Sequence, residues 1–358
     1  MTRDADVVVV GGGVTGVAAL RALARAGLDV VLLEQFALGH DRGSSHGQSR
    51  IFRLAYPDPY YVRLAQHAHG EWRKLEAEIG EELISHTGSL DIGETALDVA
   101  SALAECNVSY EVLDGRAAAT RWPITIDPDE PALFQSDGGT LRADRAIAAL
   151  VDGARAAGAA IVDHTAVANL RETADGIAIK TPAGEIVARA SVVAAGAWGR
   201  SLLEPLGIDL ATTSTRETVS YFRHDHAEEL PTVIDYALLP ASHDSGNGNG
   251  RASYALAAPG VGIKAGLHRG GPPTDPNLPG EIDEALAAWT TEWVSRRYPG
   301  AEPQPLESET CIYTNTVDQG FVVERHGRIV VASACSGHGF KFAPALAETI
   351  AALVAEVL

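Results

Sequence analysis

The sequence contains few of the features that mark secreted, metal-bound or membrane-spanning chains. Its 358 residues include only three cysteines, Cys106, Cys311 and Cys335, which are too few and too scattered for a disulfide framework or a zinc site. No segment stays apolar for the ~20 residues that a membrane helix needs. The N-terminus also lacks the basic region of a signal peptide. We therefore expect a cytoplasmic chain with no membrane contact and no metal.

Positive charge is also scarce, since 28 Lys and Arg residues face 47 Asp and Glu residues, for a formal net charge of −19. Such an acidic balance argues against nucleic acid and anionic membranes as partners. An anionic substrate would need a local basic pocket within a repelling field. The chain is 46% hydrophobic and 21% charged, which is typical of a globular protein, and it is long enough for two domains or one large α/β unit.

The first residues carry a nucleotide-binding pattern. A run of four valines ending at Val10 predicts a buried parallel strand. Gly11, Gly13 and Gly16 follow with the spacing that permits a tight turn, close approach to a pyrophosphate and close packing of helix on strand. A helix predicted over 17–26 would direct its N-terminus at the phosphates.

Glu34 completes this pattern, because it follows a second predicted strand over 30–33 and would accept hydrogen bonds from ribose hydroxyls. The order of strand, glycines, helix, strand and acid predicts a dinucleotide-binding protein. Nucleotide-fold elements recur in a helix over 143–157, a buried strand over 191–199 and a strand, turn and helix between 328 and 358.

The intervals between those elements have a β-like, turn-rich texture. We predict an α/β (α+β) fold in which a discontinuous Rossmann-like domain is interrupted by a β-rich substrate domain. The nucleotide-binding segments are 1–83, 138–210 and 306–358, and the substrate-binding segments are 84–137 and 211–305. Within the latter, the Gly- and Asn-rich stretch 242–250 predicts a mobile surface loop, and part of it could act as a lid.

Three further clusters carry a specific resemblance. The first is Gly-Ser-Ser-His-Gly-Gln-Ser-Arg-Ile-Phe-Arg-Leu-Ala-Tyr (43–56), and the second is Gly-Ile-Lys-Ala-Gly-Leu-His (262–268). The third combines Cys-Ile-Tyr (311–313) with Ser-Gly-His-Gly-Phe-Lys-Phe (336–342). Together these clusters resemble the monomeric sarcosine oxidase family. These FAD enzymes, which include N-methyltryptophan oxidase, have a D-amino-acid-oxidase-like fold. The resemblance runs from Asp6 to the C-terminal helix. It implies a glutathione-reductase-type FAD domain and oxidation of secondary amino acids with release of H₂O₂.

The resemblance also implies roles for individual residues. Cys311 matches the cysteine that forms a thioether with the flavin 8α-methyl group, and Lys264 matches the lysine that activates oxygen. Arg53 and Lys341 match the pair that binds the substrate carboxylate, and Arg50 matches an arginine stacked near the flavin. The residues expected to line the substrate face are His268, Tyr254 and Tyr313. The other positions expected to contact FAD are Gly11, Gly13, Val14, Gly16, Glu34, Ser44, Ser45, His46, Val167, Gly196, Trp198, Gly337, Gly339 and Phe340.

Physical reasons accompany these assignments, and simpler interpretations stay open beside them. A fixed ammonium at Lys264 would stabilise negative charge that develops on O₂, although most lysines lie at the surface. Positive charge near Cys311 should lower the pKa of its thiol, although a lone cysteine is usually a small buried hydrophobe. Arg53 and Lys341 could equally be structural ion-pair partners. Tyr254 is followed by Ala-Leu-Ala, where the family tends to have Gly, Phe or Leu, and Pro, which leaves the preferred amine open.

Other functions remain compatible with the same motifs. Within the family, the chain could oxidise a cyclic imino acid such as pipecolate or proline, or a specialised biosynthetic amine. It could also be a dehydrogenase subunit that passes electrons to a protein partner, or a non-catalytic FAD-binding module. The expected partners are a small amino acid or amine and O₂, and the expected state is a monomer or a small homo-oligomer.

Overall fold

The computed structural model describes residues 4–237 and 251–358, in which three β-sheets are surrounded by helices. The strands are β1 (Ala5–Val10), β2 (Val30–Leu33), β3 (Ser49–Phe52), β4 (Ile84–Ser85), β5 (Ser89–Ile92), β6 (Glu111–Asp114), β7 (Pro131–Gln135), β8 (Gly139–Arg142), β9 (Ala160–Val162), β10 (Asn169–Thr173), β11 (Gly176–Thr181), β12 (Gly184–Val193), β13 (Thr212–Arg223), β14 (Thr232–Asp235), β15 (Ala252–Ala258), β16 (Gly262–His268), β17 (Glu307–Thr316), β18 (Val322–His326) and β19 (Ile329–Ser333). The helices are α1 (Val14–Arg25), α2 (Pro59–Ile79), α3 (Ala100–Glu105), α4 (Gly115–Arg121), α5 (Ala143–Ala156), α6 (Gly199–Leu203), α7 (Glu284–Arg297) and α8 (Ala343–Ala355).

The first sheet has the strand order β10-β11-β12-β1-β2-β9, with β19 beside β12 and β18 beside β19. Its central strand β1 runs parallel to both β2 and β12. Val7 and Val9 of β1 pack into a core shared with α1, α5 and α8, whereas Val8 and Val10 enter a second core on the other face. Since successive side chains of a strand point to opposite faces, burial of both faces requires the uninterrupted valine run.

The second sheet has the order β17-β13-β16-β15-β14-β5-β7-β6. One of its faces packs into an apolar core, and the other lines a cavity. In β16, Ile263 and Ala265 pack into an apolar core with Trp293 of α7. The alternate residues Lys264 and His268 therefore point to the opposite face, where both line a large cavity. Alternation along β16 thus separates residues that support the fold from residues that form the site.

Helix α7 is fixed to this sheet by a buried polar group. The Asp235 carboxylate at the end of β14 accepts hydrogen bonds from Trp293 Nε1 and Arg297 Nε, both at 2.7 Å. Arg297 also makes an ion pair of 2.9 Å with Glu130. Because these charges are paired and hydrogen-bonded, they can lie in the interior without a large desolvation cost.

The predicted α/β architecture is confirmed, with local differences. Helix α1 begins at Val14, three residues before the prediction. The strand predicted over 191–199 is wrong beyond Val193, because Gly196 has φ +51° and starts a short 3₁₀ turn. The predicted helix over 343–358 ends at Ala355. Stretch 242–250 lies outside the described residues.

The predicted division into domains stays a prediction. Strand β17 lies within the nucleotide-binding segment 306–358, but its hydrogen-bonding partner is β13 of the second sheet. It therefore physically joins the segments assigned to the two domains. Within the described ranges, every helix falls short of the length or the apolar character that a bilayer span requires.

Candidate active site

A cavity of about 1160 Å³ is lined by residues from both large sheets. Every predicted site residue except Gly16 contributes to its wall. Residues that are distant in sequence, from the glycine turn near the N-terminus to the motif before α8, therefore surround one space. The structure thus gives the predicted residues a common location, and their individual roles stay predictions.

The glycine turn lies at the carboxyl end of β1, and its shape depends on the absence of side chains. Gly11 has φ +105°, and a Cβ there would lie 2.5 Å from the carbonyl oxygen of Ala194. A Cβ on Gly16 would lie 1.9 Å from the carbonyl oxygen of Gly11. Gly16 thus permits helix α1 to pack on the turn, and this packing role accounts for its absence from the cavity wall.

Glu34 is held at the end of β2 by the backbone. Its Oε2 accepts a hydrogen bond of 2.6 Å from the Gly12 N–H, and its Oε1 accepts one of 2.9 Å from the Phe36 N–H. The side chain is buried and borders the cavity. These donors fix the carboxylate beside the glycine turn, where the ribose of a dinucleotide is expected.

The loop between β2 and β3 connects the glycine turn to the second sheet. Ser45 Oγ accepts a hydrogen bond of 3.0 Å from the Val14 N–H at the start of α1. Ser44 donates its hydroxyl to the carbonyl of Ile312 in β17. Arg50 donates to the carbonyls of Ser44 and His46, both at 2.6 Å. Arg50 therefore fixes the conformation of the loop, and Ser44 holds the loop against the strand that carries Cys311.

The wall opposite the glycine turn is one face of the second sheet. A single row of paired positions crosses five strands there, and its members are Ile234, Tyr254, Gly266, Val219 and Glu309. Lys264 and His268 lie two positions from Gly266 along β16, and Cys311 and Tyr313 lie two and four positions after Glu309 along β17, so all four are on the same face. Sheet register therefore brings the predicted lysine, cysteine and tyrosines together.

Lys264 is buried at this wall and has a charged partner. Its Nζ lies 3.4 Å from Oε1 of Glu309, which also accepts a hydrogen bond from the Tyr221 hydroxyl. Burial and the nearby Arg50 lower the pKa of Lys264 to about 8, while Glu309 acts to raise it. The ammonium and the neutral amine are therefore both accessible near neutral pH.

Cys311 lies on β17 between Glu309 and Tyr313 and borders the cavity. Burial raises the pKa of its thiol to about 11, against the opposing effect of Lys264 and Arg50. The expectation that positive charge would give Cys311 a lowered pKa is therefore wrong for the chain without a bound cofactor. The two cations are present as expected, but desolvation of the thiolate outweighs them.

Three predicted side chains form a neutral hydrogen-bonded group on the sheet face. His268 Nδ1 lies 3.4 Å from the Tyr313 hydroxyl, and the hydroxyls of Tyr313 and Tyr254 share a hydrogen bond. Burial, together with nearby cations, holds the pKa of His268 well below its usual range. Burial likewise raises the pKa of both tyrosines. His268 is therefore a neutral imidazole at neutral pH.

Arg53 follows β3 and forms a buried ion pair. Its Nη1 lies 3.2 Å from Oδ2 of Asp91 and donates to the Ala55 carbonyl at 2.7 Å. Tyr236 also hydrogen-bonds the guanidinium. Burial raises the pKa of Asp91 to about 6 even though Arg53 opposes that change. Arg53 is thus oriented at the cavity wall by groups on the second sheet and the adjoining loop.

Lys341 lies close to Arg53, and both contact Tyr56. Lys341 Nζ donates to the Tyr56 hydroxyl and to the His338 carbonyl, both at 2.9 Å. The Arg53 guanidinium carbon is 4.7 Å from the centre of the Tyr56 ring. Burial and Arg53 hold the pKa of Lys341 well below its usual range. A bound carboxylate would lower the repulsion between these two cations, so the pair is suited to an anion.

Several residues of the site were missed by sequence reasoning. The sequence-based prediction assigns no role to Glu309, Tyr221, Asp91, Tyr236 and His338. His338 lies inside the quoted motif 336–342 and Glu309 lies two positions before Cys311, so alternation along β17 offered a signal for Glu309. Asp91 and Tyr236 gave none, because the pairing of β5 with β14 brings these two near each other, and their contacts with Arg53 join segments that are distant in sequence.

The described residues fit FAD. The turn at Gly11 leaves no room for a side chain, Glu34 faces the expected ribose position, and the cavity continues to Cys311 and Phe340. The cavity wall near this turn also includes Gly13, Val14, Ser45, Val167, Gly196 and Trp198. A long cavity that begins at the carboxyl ends of parallel strands is the expected site of a dinucleotide.

Comparisons with known proteins agree with this geometry. The family model described as FAD dependent oxidoreductase matches residues 6–353. The chain belongs to this family. It is 31% identical to monomeric sarcosine oxidase of Bacillus sp. (strain B-0618) over 99% of this chain and 93% of the relative. N-methyl-L-tryptophan oxidase of Salmonella heidelberg (strain SL476) is 29% identical over 97% of this chain and 93% of the relative.

A solved structure extends the similarity to three dimensions. The open form of a NikD variant, described as an unusual amino acid oxidase essential for nikkomycin biosynthesis, superposes with a TM-score of 0.89. It is 28% identical and covers 99% of this chain and 94% of that chain. The predicted family, its FAD-dependent chemistry and the status of the chain as an oxidoreductase are therefore confirmed.

Proposed function

We propose that this flavin-dependent oxidoreductase is an oxidase of secondary amino acids, with sarcosine or another N-methyl amino acid as substrate. The observation that carries the proposal is the pair of basic side chains Arg53, which is half-buried, and Lys341, which is buried; both lie at the wall of the cavity that also contains Lys264 and Cys311. A fixed guanidinium and a fixed ammonium provide charge-assisted donors for an α-carboxylate. The names of the two relatives, a sarcosine oxidase and an N-methyl-L-tryptophan oxidase, support this substrate class.

The proposed reaction moves two electrons and two protons from the amine to O₂. When bound, FAD supplies the redox chemistry by accepting a hydride equivalent from a carbon next to nitrogen and by passing two electrons to O₂. The amine loses two electrons and two protons and becomes an imine, while O₂ gains them and becomes H₂O₂. Water then hydrolyses the imine, which for sarcosine gives glycine and formaldehyde.

The protein side chains orient the amino acid and set its charge. Arg53 and Lys341 bind the carboxylate, which fixes one end of the substrate. The neutral His268, bonded to Tyr313, presents a hydrogen-bonding imidazole at the proposed substrate face that orients the amine. Lys264 provides positive charge for the oxygen reaction on the same sheet face. Arg50, beside Phe340, offers a second positive charge near the predicted flavin position.

The first experiment mixes the purified flavoprotein anaerobically with sarcosine, N-methyl-L-tryptophan, L-pipecolate, L-proline and matched primary amino acids. Loss of the flavin absorbance band near roughly 450 nm reports electron transfer from the amine. We expect bleaching by an N-methyl amino acid and recovery of the band, with H₂O₂ formation, when air is admitted.

The other outcomes separate the alternatives. Bleaching by pipecolate or proline alone would assign the chain to cyclic imino acids, and bleaching by primary amines alone would contradict the proposed substrate class. Bleaching without recovery in air would identify a dehydrogenase that needs a protein electron acceptor. A flavin that no amine bleaches would leave a specialised biosynthetic substrate or a non-catalytic FAD module.

We further propose that Cys311 binds FAD covalently through the flavin 8α-methyl group. The support is the position of Cys311 on the cavity wall together with the resemblance of its motif. After precipitation with acid, the yellow colour should remain in the wild-type pellet, whereas Cys311→Ser should release FAD into the supernatant. Cys106→Ser, which changes a cysteine outside the cavity wall, serves as the control. Yellow colour in the wild-type supernatant would contradict covalent attachment.

The cellular location and the assembly state stay predictions. A cytoplasmic location follows only from the small number of cysteines, and the predicted monomer or small homo-oligomer can be checked by light scattering of the FAD-loaded chain. O₂ is the acceptor that the proposal requires, and its consumption by the isolated chain tests that requirement directly.

A further inference from the structure

We propose that Glu309 is a positioning residue for the oxygen reaction: its carboxylate holds the Lys264 side chain at the cavity wall and keeps it in the ammonium form. This inference rests on the proposed oxidase function and adds a residue that neither the sequence nor the family motifs assigned. It also makes the oxygen reaction depend on pH through one identifiable ion pair.

The geometry of the ion pair is the first argument. Lys264 on β16 reaches past Tyr221 on the intervening strand β13 to place Nζ 3.4 Å from Glu309 Oε1 on β17. The Tyr221 hydroxyl donates to the same oxygen, and the Lys264 ammonium lies 5.3 Å from the centre of the Tyr221 ring. Tyr221 therefore fixes the carboxylate and also supports the ammonium.

Gly47 lies beside this ion pair at the cavity wall. An ideal Cβ on Gly47, which has φ +85°, would lie 3.4 Å from Lys264 Nζ, 3.6 Å from Glu309 Oε1 and 3.7 Å from Arg50 Nη1. Gly47, Lys264 and Arg50 all line the cavity. Three charged groups thus surround one small space that a side chain at position 47 would fill.

The surroundings make Glu309 the group that balances the charge. Facing Lys264 are Arg50, His46, Tyr221, Cys311 and Glu309. Burial lowers the pKa of His46 to about 4, and burial raises the pKa of Tyr221 above its usual range and that of Cys311 to about 11. These three groups are therefore uncharged at neutral pH. Arg50 carries positive charge, so Glu309 is the anion among the described groups that face the ammonium.

Glu309 is suited to stay ionised. Burial acts to raise the pKa of its carboxyl, but the hydrogen bond from Tyr221 and the charge of Lys264 oppose that effect, and the pKa is lowered. Lys264 shows the opposite balance, since burial and Arg50 lower its pKa to about 8 against the effect of Glu309. Without Glu309 the ammonium would be lost at a lower pH.

The test compares the flavin-bound wild type with Glu309→Gln, Lys264→Met and Glu307→Gln between about pH 6 and pH 10, a range that brackets the usual lysine pKa and its lowered value. Each protein is reduced anaerobically with stoichiometric dithionite, and the rate of reoxidation by O₂ is measured. This measurement needs no amine, so it works even if the proposed substrate class is wrong. Glu307 is exposed on the same strand, and its substitution removes an equal charge.

We expect the reoxidation rate of the wild type to fall as Lys264 loses its proton. In Glu309→Gln the midpoint of that fall should move down by about one to two pH units, because removal of an opposite charge lowers a lysine pKa by about that much. The variant should therefore approach the wild-type rate near the acid end of the range. Glu307→Gln should match the wild type, and Lys264→Met should be slow at every pH.

A second readout does not depend on flavin turnover. Trace acetylation with acetic anhydride, followed by mass spectrometry, gives the pH at which Lys264 becomes nucleophilic in the native protein. This midpoint should fall in Glu309→Gln by the same amount as the kinetic midpoint. Equal midpoints in wild type and Glu309→Gln, a loss of rate that is the same at every pH, or a shift in one measurement alone would each overturn the inference.

Discussion

At the scale of single residues, the site combines groups whose charge is settled with groups whose charge depends on their surroundings. Burial makes His268 and His338 neutral, while Arg53 stays charged beside Asp91. Lys264 and Lys341 are the variable groups, because burial lowers the pKa of each. A negative charge nearby, whether Glu309 or a bound carboxylate, favours their ammonium forms.

Lys264→Met is expected to slow reoxidation of the reduced flavoprotein by about 100-fold or more, which is the usual cost of removing one oriented electrostatic donor. Reduction by the amine should change by less than about threefold, since Lys264 lies with Glu309 and outside the carboxylate pair. Rapid mixing of each half-reaction measures both rates. Lys180→Met, at an exposed lysine of β11, is the control. Equal losses in both half-reactions would contradict the assigned role.

Arg53→Ala is expected to raise KM for the amino acid by roughly 10- to 100-fold, the usual loss for hydrogen bonds to a charged group. Loss of Arg53 should also raise the pKa of Asp91 above about 6, so that this carboxyl becomes neutral and the fold tolerates the change. Steady-state kinetics and the thermal midpoint check both effects. Arg53→Lys retains a charge and should give an intermediate KM. An unchanged KM in Arg53→Ala would exclude carboxylate binding by Arg53.

At the scale of elements, the turn before α8 packs against Tyr313 and His268 of the proposed substrate face. Gly337 has φ +74°, and a Cβ there would lie 2.2 Å from Tyr313 Cε2 and 2.6 Å from His268 Cε1. Neither ring can remain in place beside an added methyl group. The turn therefore needs glycine for two reasons, its backbone conformation and its close approach to two site residues.

Gly337→Ala is expected to reduce kcat/KM at least tenfold, because Tyr313 and His268 must move. Gly207→Ala is the matched control, since Gly207 has nearly the same φ, +72°, and open space around the position of a Cβ. Both variants should lose about 1 kcal/mol of stability from the left-handed backbone. Amine oxidation assays and thermal unfolding separate the two effects. Equal kinetics for the two variants would show that the contact is unimportant.

Element boundaries also show where sequence reasoning succeeds. Strand β2 and helix α5 agree with their predicted limits to within one residue, because their apolar patterns are regular over the whole element. The end of β12 was predicted six residues too late. The stretch after Val193 is apolar like a strand, but it turns at Gly196 to border the cavity. Local hydrophobicity gives no sign of such a turn.

At the scale of the whole molecule, the cavity is shared by the two large sheets, so its occupant contacts both. A ligand that binds only the folded state stabilises it, by about 4 kcal/mol at a concentration 1,000 times its Kd. Binding of FAD is therefore expected to stabilise the first and second sheets together as one unit.

FAD-loaded Cys311→Ser is expected to unfold in one transition, several degrees above the same variant after its FAD has been removed. Calorimetry measures both states, and Cys311→Ser allows removal of the cofactor if the wild type binds it covalently. AMP, which can occupy only the part of the cavity near Glu34, should raise the midpoint less. Equal midpoints with and without FAD would show that the cavity does not accept the cofactor as proposed.

The sequence by itself determined the family, and it predicted the nucleotide-binding end of the candidate site. Gly11, Gly13, Gly16 and Glu34 lie within 24 residues of each other, and their spacing is set by one strand, one turn and one helix. Motifs of consecutive residues also located Lys264, Arg53, Lys341 and Cys311. Local spacing is enough to predict a site where residues that are close in sequence contact the same ligand.

Only the tertiary structure decided the electrostatic environment of those residues, that is, their charged neighbours and their burial. Glu309 is 45 residues from Lys264, and Asp91 is 38 residues from Arg53. Sheet pairing brings Glu309 to Lys264, and packing of β5 against the segment after β3 brings Asp91 to Arg53. The high pKa of Cys311 likewise depends on burial, which sequence spacing does not reveal. Charge and desolvation act through space, so the ionisation of these groups follows from the packed sheets and not from the motifs.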